Sequence, residues 1–573
     1  MLTLHRALTA GILAVVTLFT AAQANAEGGL DLIPSDAAIV VRLKAPEATI
    51  AKVGNFANQI QPGLGFFVQG QAPVLGVAIS NPTLGGVDLK NDWYVAAFPK
   101  KAGEPDVVFV VPATDSDAMQ EAVGAGFTYA VKGSWVAYSM NPDATKKAQA
   151  VIDGDSKALD LGRRAGNLFK ANDISIFVNI SDLTASYKDE LNKAEAELER
   201  GLEQLQDGQA GLPPGVNAAA IRDVVSTLGK GVLQAVRDAD AAAAGIAFGD
   251  DALTIDELLL VKSDSDSSKF LAANPANDMR LLGKLPQSEL GYFALHMNVG
   301  ALTKWGLSMA ASILDGNEEV KAQLEKVSST LRDVEFGTIA AGFGLNSGGD
   351  EGILKSISVT EAKPASTIRD LMRDMAKLGG LSAPGVKQEI TVEEEAETYG
   401  DLKGDIVKVK QEFSPEADPL GVSQQMVDLF YGKEGAVQRV VTTDGMIIQT
   451  AGGGQATMKE ALAGLKGKGQ AGALKEGRKL ALPKSNLVAM IDLPNFLVKG
   501  AAAVAKTGML PIPLPAEQIA EIKIPASYLV ISVGTEVDGL RAKTALPVKM
   551  FKGFMEIQKF VQQMQGQELQ NGF

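Results

Sequence analysis

The sequence predicts an α+β fold built from repeated strand–helix–β-hairpin–helix modules, with mainly antiparallel sheets and an inserted helical hairpin. Three observations lead there. Leu/Ile-Pro starts recur ahead of short apolar runs, and Gly-containing turns recur between paired apolar runs downstream. The chain also lacks cysteine altogether, so burial in a core must hold it together without disulfides.

Each element follows from local chemistry. Ile33-Pro34-Ser35-Asp36 leads into Ala37–Arg42, Leu285-Pro286-Gln287-Ser288 into Glu289–Ala294, and Leu482-Pro483-Lys484-Ser485 into Asn486–Ile491. A fourth segment, Asn172–Ile180, keeps the apolar run without the proline. Proline has no amide to donate and pushes the residue before it toward an extended conformation. The short apolar runs suit buried strands, and helical stretches follow them.

Hairpins come next. Phe127–Val131 and Trp135–Met140 flank Lys132-Gly133, Gln438–Thr442 and Met446–Thr450 flank Asp444-Gly445, and Tyr528–Val533 and Leu540–Ala545 flank a loop with Asp538-Gly539. Asp and Gly tolerate the positive φ of a tight turn. Asn141-Pro142 predicts a capped helix start, and Thr457–Glu460 fits a capping box. Copies of the unit begin near residues 36, 172, 288 and 484, with further hairpin–helix units at about 74–152 and 387–466.

One region departs from this pattern. Leu183, Tyr187, Leu191, Ala194, Leu198 and Leu205 recur at helical spacing up to Pro213-Pro214, and Ile221, Val224, Val225, Leu228, Val232 and Val236 form a second stripe. They predict a helical hairpin over 182–238 that packs on a sheet or projects from it. The expected division is a signal peptide at 1–26 and a first α+β module at 27–165. A second module, carrying the helical hairpin, covers 166–280 and a third covers 281–383. An additional hairpin–helix unit takes 384–480, and a fourth module with a C-terminal amphipathic helix docked on the last hairpin takes 481–573.

Met1–Arg6 is weakly positive, Ala7–Ala22 is apolar, and Ala24 and Ala26 suit a signal peptidase acting before Glu27. The apolar run falls short of the roughly 20 residues of a spanning helix. The expected location is therefore periplasmic or secreted, with no transmembrane segment in the mature chain. With 68 Asp and Glu against 54 Lys and Arg, the acidic chain lacks the basic footprint that nucleic acid requires. A hydrophobic content of 46% counts against disorder.

The sequence nominates no catalytic, cofactor-binding or metal-binding residue, and no cofactor. His5 lies in the leader, so His296 is the one histidine beyond it, at a position where the repeats carry Lys44 and Leu493. No His cluster for zinc, Gly-x-Ser-x-Gly elbow or Ser-x-x-Lys arrangement occurs. Gly342-Phe343-Gly344 and Gly452-Gly453-Gly454 lack dinucleotide spacing and read as hairpin and loop glycines. Asp264–Ser268 begins like a calcium loop, but Lys269 replaces the Gly required at the sixth position and no Glu stands at the twelfth, so helix capping is the expected use. Glu393-Glu394-Glu395-Ala396-Glu397, beside Asp401 and Asp405, has the composition to attract a divalent cation and is expected to be a solvated loop. Lys466, Lys468, Lys475, Arg478, Lys479 and Lys484 form the one basic stretch, expected to be a linker.

The Leu-Pro start, short strand, helix and hairpin–helix series resembles a family of exported bacterial repeat proteins of unknown function, whose strands often end near an acidic residue, as at Asp492. Arg42 and Ala294 depart from that habit. The resemblance implies export and repeated modules, and no reaction. The expected function is a non-enzymatic cell-envelope protein with a binding or scaffold role toward an envelope component or protein partner. The alternatives are a secreted carboxylate-dependent hydrolase acting on an envelope or extracellular polymer, and a peripheral lipid-associated envelope protein touching the membrane surface.

Overall fold

Strands begin where the proline-led segments put them. The computed structural model describes residues 28–70, 72–100, 103–207, 218–288, 290–298, 318–331, 333–346, 351–377, 385–467, 472–507 and 516–571. The leader expected at 1–26, Pro213-Pro214 and Lys468 lie outside them.

Ile39–Leu43 (β1) is followed by helices Pro46–Ile60 (α1), Leu64–Gln69 (α2) and Ala72–Ala78 (α3). Then come Trp93–Phe98 (β2), Asp106–Pro112 (β3), Ser116–Val123 (α4), Thr128–Lys132 (β4), Trp135–Ser139 (β5), Pro142–Asp153 (α5) and Gly162–Ala171 (α6). Ile174–Asn179 (β6) opens the next series: Ile180–Ser186 (α7), Lys188–Asp207 (α8), Ala218–Asp238 (α9), Ala239–Phe248 (β7), Ala252–Val261 (β8) and Asp266–Ala273 (α10).

Gly291–His296 (β9) starts a third: Glu318–Leu331 (α11), Glu335–Leu345 (β10), Leu354–Lys363 (β11), Ala365–Lys377 (α12), Val386–Tyr399 (β12) and Leu402–Phe413 (β13). It continues through Val422–Tyr431 (α13), Ala436–Thr443 (β14), Met446–Ala451 (β15), Gly454–Lys466 (α14) and Gly472–Leu480 (α15). Leu487–Ile491 (β16) leads the last, with Leu493–Thr507 (α16), Ala516–Ala520 (α17), Leu529–Glu536 (β17), Gly539–Pro547 (β18) and Val548–Asn571 (α18). The fold is α+β, with antiparallel pairing between the strands.

Two compact units divide the chain. One draws on Met1–Gly208, Arg222–Ala272 and Glu536–Val548, the other on Gln209–Ile221, Ala273–Thr535 and Lys549–Phe573. The first sheet runs β4-β5-β3-β2-β1-β6-β7-β8-β18. The second runs β12-β13-β14-β15-β11-β10-β9-β16-β17. Seven strands of each order match: β1 corresponds to β9, β2 to β10, β3 to β11, β4 and β5 to β14 and β15, and β6 and β7 to β16 and β17. The β12–β13 hairpin is an insertion beyond β14. By chain order β18 corresponds to β8, and within the first unit the two pair antiparallel from Gly539↔Leu260 to Pro547↔Ala252.

In the first unit both sheet faces are covered, which explains why its strands read as nearly continuous apolar runs. Val40, Tyr94, Ala96, Phe98, Val108 and Val110 meet Ala144 and Ala148 of α5 and Leu168 and Phe169 of α6. The alternate residues Val41, Leu43, Trp93, Val111, Val136 and Tyr138 pack with Leu75, Ile79 and Met119 on the other face. In the second unit, Ala365, Ile368 and Met372 of α12 cover Val407, Val440 and Ile447.

Local signals hold in places and slip in others. Asn141 caps α5 by accepting from the Asp143 amide at 3.0 Å, with Pro142 opening the helix. The expected capping box does not start α14, which begins three residues earlier behind Gly453 and buries Thr457 in its interior. Helix α18 docks on helices rather than on a hairpin: Ile557 and Phe560 join Val498, Ala502 and Ile519. Gly553 permits this approach, since a Cβ there would lie 2.9 Å from Ile524 and Pro494 atoms. We expect Gly553→Val to cost about 1–3 kcal/mol through overpacking, read as a lowered urea midpoint with faster hydrogen exchange in α16 and α18.

Candidate functional site

The acidic run of the second unit lies in a strand with an irregularity rather than in a loop, and Glu393, Glu394 and Glu395 stay exposed to solvent as expected. It forms part of β12, whose register shifts between Glu393 and Glu397, and Glu395 has φ +52°. What the sequence could not place is the set of basic side chains that meet most of these acids. Arg369 and Arg373, one turn apart on α12, both form two-pronged hydrogen bonds with Asp405 of β13 at 2.6–2.9 Å. The Glu395 amide donates to the same carboxylate at 2.8 Å. Glu394 lies 3.0 Å from Arg373, and Glu393 lies 2.6 Å from Lys408.

On the opposite face of the sheet stands a second closed network. Asp405 is in register with Val440, whereas Arg439 of β14 is in register with Ile406, so the two point to different faces. Arg439 donates to Glu351 at 2.8 and 3.1 Å and to Glu397 at 3.1 and 3.2 Å. Tyr399 donates its hydroxyl to Glu397, and Glu351 accepts the Gly454 amide at 2.9 Å. Gly452-Gly453-Gly454 does therefore join a strand, β15, to a helix, α14, with φ of +73°, +74° and +64°. The anion at that helix start is the protein's own Glu351 carboxylate.

Electrostatics follow from this pairing. Burial alone would raise the Asp405 pKa, but hydrogen bonds from Arg373, Arg369 and the Glu395 amide hold it well below the usual carboxylate range. The carboxylate receives five hydrogen bonds, which leaves little lone-pair capacity for a metal or a substrate proton. Burial and the Glu397 contact push the Tyr399 hydroxyl up. Among the described residues, no group of three or more His, Asp or Glu is arranged to hold a metal ion.

The first unit holds its own buried pair. Arg42 of β1 donates to Asp92 at 2.7 Å and to the Phe169 carbonyl at 2.7 Å, while Asp92 accepts the Ala45 amide at 3.1 Å. Arg42 breaks the acidic habit of the repeat because its charge ties β1 to the end of α6. Lys52 and Asp173 pair at 2.6 Å nearby in the chain's topology.

The other motifs take the following places in the fold. His296 ends β9 with Nδ1 3.4 Å from the Thr338 hydroxyl, and its carbonyl accepts from Asn486 at 3.1 Å. At the calcium-like stretch, α10 starts at Asp266, where Ser265 accepts the Ser268 amide at 3.1 Å. Gly342 and Gly344 lie inside β10 rather than in a loop, and a Cβ on Gly342 would meet Ser288 Oγ at 2.3 Å. The basic stretch is partly helical, forming α15. Its Arg478 donates to the Leu482 and Pro483 carbonyls at 2.6 and 2.9 Å. Asp492 is fully buried and accepts from the Asn495 and Ser527 amides at 3.2 and 3.0 Å.

What does face outward is apolar. Phe66 and Phe67 of α2 are 78% and 71% exposed, with Val74 and Val77 of α3 exposed beside them in sequence. This is a built platform. Asn58 of α1 accepts the Gly63 and Gly65 amides at 3.2 and 2.8 Å. Gly65 lets α2 lie close on α1, since a Cβ there would sit 2.5 Å from the Gly54 carbonyl oxygen. Leu75 and Ile79 anchor the far end in the core, and Tyr138 donates to the Ile79 carbonyl at 2.6 Å. Residues 53–87 contain no Asp, Glu, Lys, Arg or His, in a chain that is 21% charged. That gap is the signal that sequence reading missed. We expect Gly65→Val to loosen α2 at a cost of about 1–3 kcal/mol, visible as faster exchange of the Gly63 amide and of the amide at position 65.

A second apolar face belongs to the helical hairpin. Leu198 of α8 packs so close to Gly229 of α9 that a Cβ there would lie 2.5 Å away, and Arg237 pairs with Glu195 at 2.6 Å. Val225, Leu228, Val232 and Val236 are nevertheless exposed. Among the described residues no helix is long and apolar enough to cross a membrane. Compared with protein-family models, curated proteins and solved structures, the chain matches none.

Proposed function

We propose that the protein is an exported, non-enzymatic component of the cell envelope, periplasmic or secreted, that acts by binding or scaffolding. The observation that carries this reading is a contrast between interior and surface. The buried acids Asp405 and Asp92 are neutralised by arginines, whereas large apolar side chains are held outward on an anchored platform. A carboxylate-dependent hydrolase needs acids free to exchange protons with a substrate, and saturated Arg–carboxylate networks work against that use. An acidic chain also disfavours nucleic acid as a partner.

Cell fractionation followed by pull-down with the purified chain tests the proposal. The expected result is enrichment in the periplasmic or secreted fraction and recovery of a specific envelope component. Turnover of an envelope polymer by the purified protein would overturn it.

A further inference from the structure

We propose that the α2–α3 platform is a lipid-contact site that seats Phe66 and Phe67 shallowly in a zwitterionic bilayer surface. The inference rests on the binding role above and names its partner. Aromatic rings favour the boundary between headgroups and acyl chains. Here the two rings stand side by side, with centroids 6.3 Å apart and planes at 77°. An anchored platform can enter that boundary without first ordering itself.

Charge selects the partner. Docking residues 53–87 against lipid desolvates no ionised side chain, because the segment has none. The flanking charges are already engaged: Lys52 with Asp173 at 2.6 Å, and Asp88 with the Lys90 amide and Asn91 at 2.8 and 2.6 Å. Gln61 at the end of α1 and Gln69 at the end of α2 are exposed and uncharged, able to hydrogen-bond headgroups of no net charge. Anionic lipid is disfavoured, since the net charge is −14 and the platform lacks Lys and Arg.

Flotation with pure phosphatidylcholine vesicles is the test, comparing the protein with Phe66→Ser/Phe67→Ser in the same chain. That comparison separates the platform from the apolar leader. The wild type should float, and the double variant should bind at least about tenfold more weakly, as loss of two inserted rings dictates. Leu228→Ser/Val232→Ser on α9 should float like wild type. Phe66→Trp should show a blue-shifted emission that brominated lipid quenches, a readout independent of the double variant's folding.

Equal flotation of wild type and double variant would overturn the inference, as would binding only when anionic lipid is added. So would a self-association of the wild type that the double variant abolishes without any vesicle binding, which would assign the platform to a second copy of the chain. A wild type that ignores vesicles yet recovers a specific envelope component would remove the lipid inference and leave the binding role standing. Polymer turnover with intact Phe-dependent flotation would do the reverse.

Discussion

Asp405→Ala is expected to destabilise the second unit by about 3–5 kcal/mol, because it leaves the Arg369 and Arg373 guanidinium groups largely buried without their counter-charge. Asp405→Asn keeps the shape and part of the hydrogen bonding, so its loss should be smaller. Urea unfolding followed by hydrogen exchange across β12–β14 would read both. A loss under about 1 kcal/mol for the alanine variant would mean that water replaces the carboxylate at no cost. The pH dependence has a definite sign. A carboxyl whose folded-state pKa is depressed contributes stability above its unfolded value and loses it as pH falls toward the folded value. Wild-type stability should therefore decline from about pH 4 downward, and the Asn variant should show a flatter acid limb.

Asp92→Ala in the first unit is expected to cost a comparable amount, about 3–5 kcal/mol, since Arg42 would remain charged and buried. The variant also takes the acceptor from the Ala45 amide, at a residue held at φ +36°. Intrinsic fluorescence suits the measurement, because Trp93 and Trp135 are both buried in this unit. The double change Arg42→Met/Asp92→Leu should recover much of the loss, since replacing both charges by apolar groups removes the desolvation cost. If the double variant is as unstable as the single one, the pair is needed for its hydrogen bonds to the Phe169 carbonyl and the Ala45 amide, beyond charge balance.

How much of this was legible depends on whether the cause is local. Proline-led strand starts and hairpin turns act over a few residues, and β1, β9 and β16 follow their Leu/Ile-Pro segments. The matching strand order of the two sheets was not legible, because β1 pairs with β6 across more than a hundred residues and no local signal encodes that choice. The acidic run was misread for the same reason. Its fate depends on Arg369 and Arg373, which arrive from another element. Periodicity identified the stripe of α9 correctly as a helix face, but a period says nothing about what covers that face, and Val225, Leu228, Val232 and Val236 are exposed. The platform was missed because attention to charged motifs passes over a segment whose informative property is having no charge.

The late strand β18 sets an order on biogenesis. Residues 539–547 pair with β8 on the first sheet, although they emerge nearly three hundred residues after it during synthesis. Until the ribosome has released almost the entire polypeptide, β8 keeps an unpaired backbone along that side, the kind of exposed edge that recruits strands from other molecules. The first unit therefore stays open at that edge until residues 539–547 have been made, and a chain cut short before residue 539 leaves an adhesive product rather than a smaller working protein.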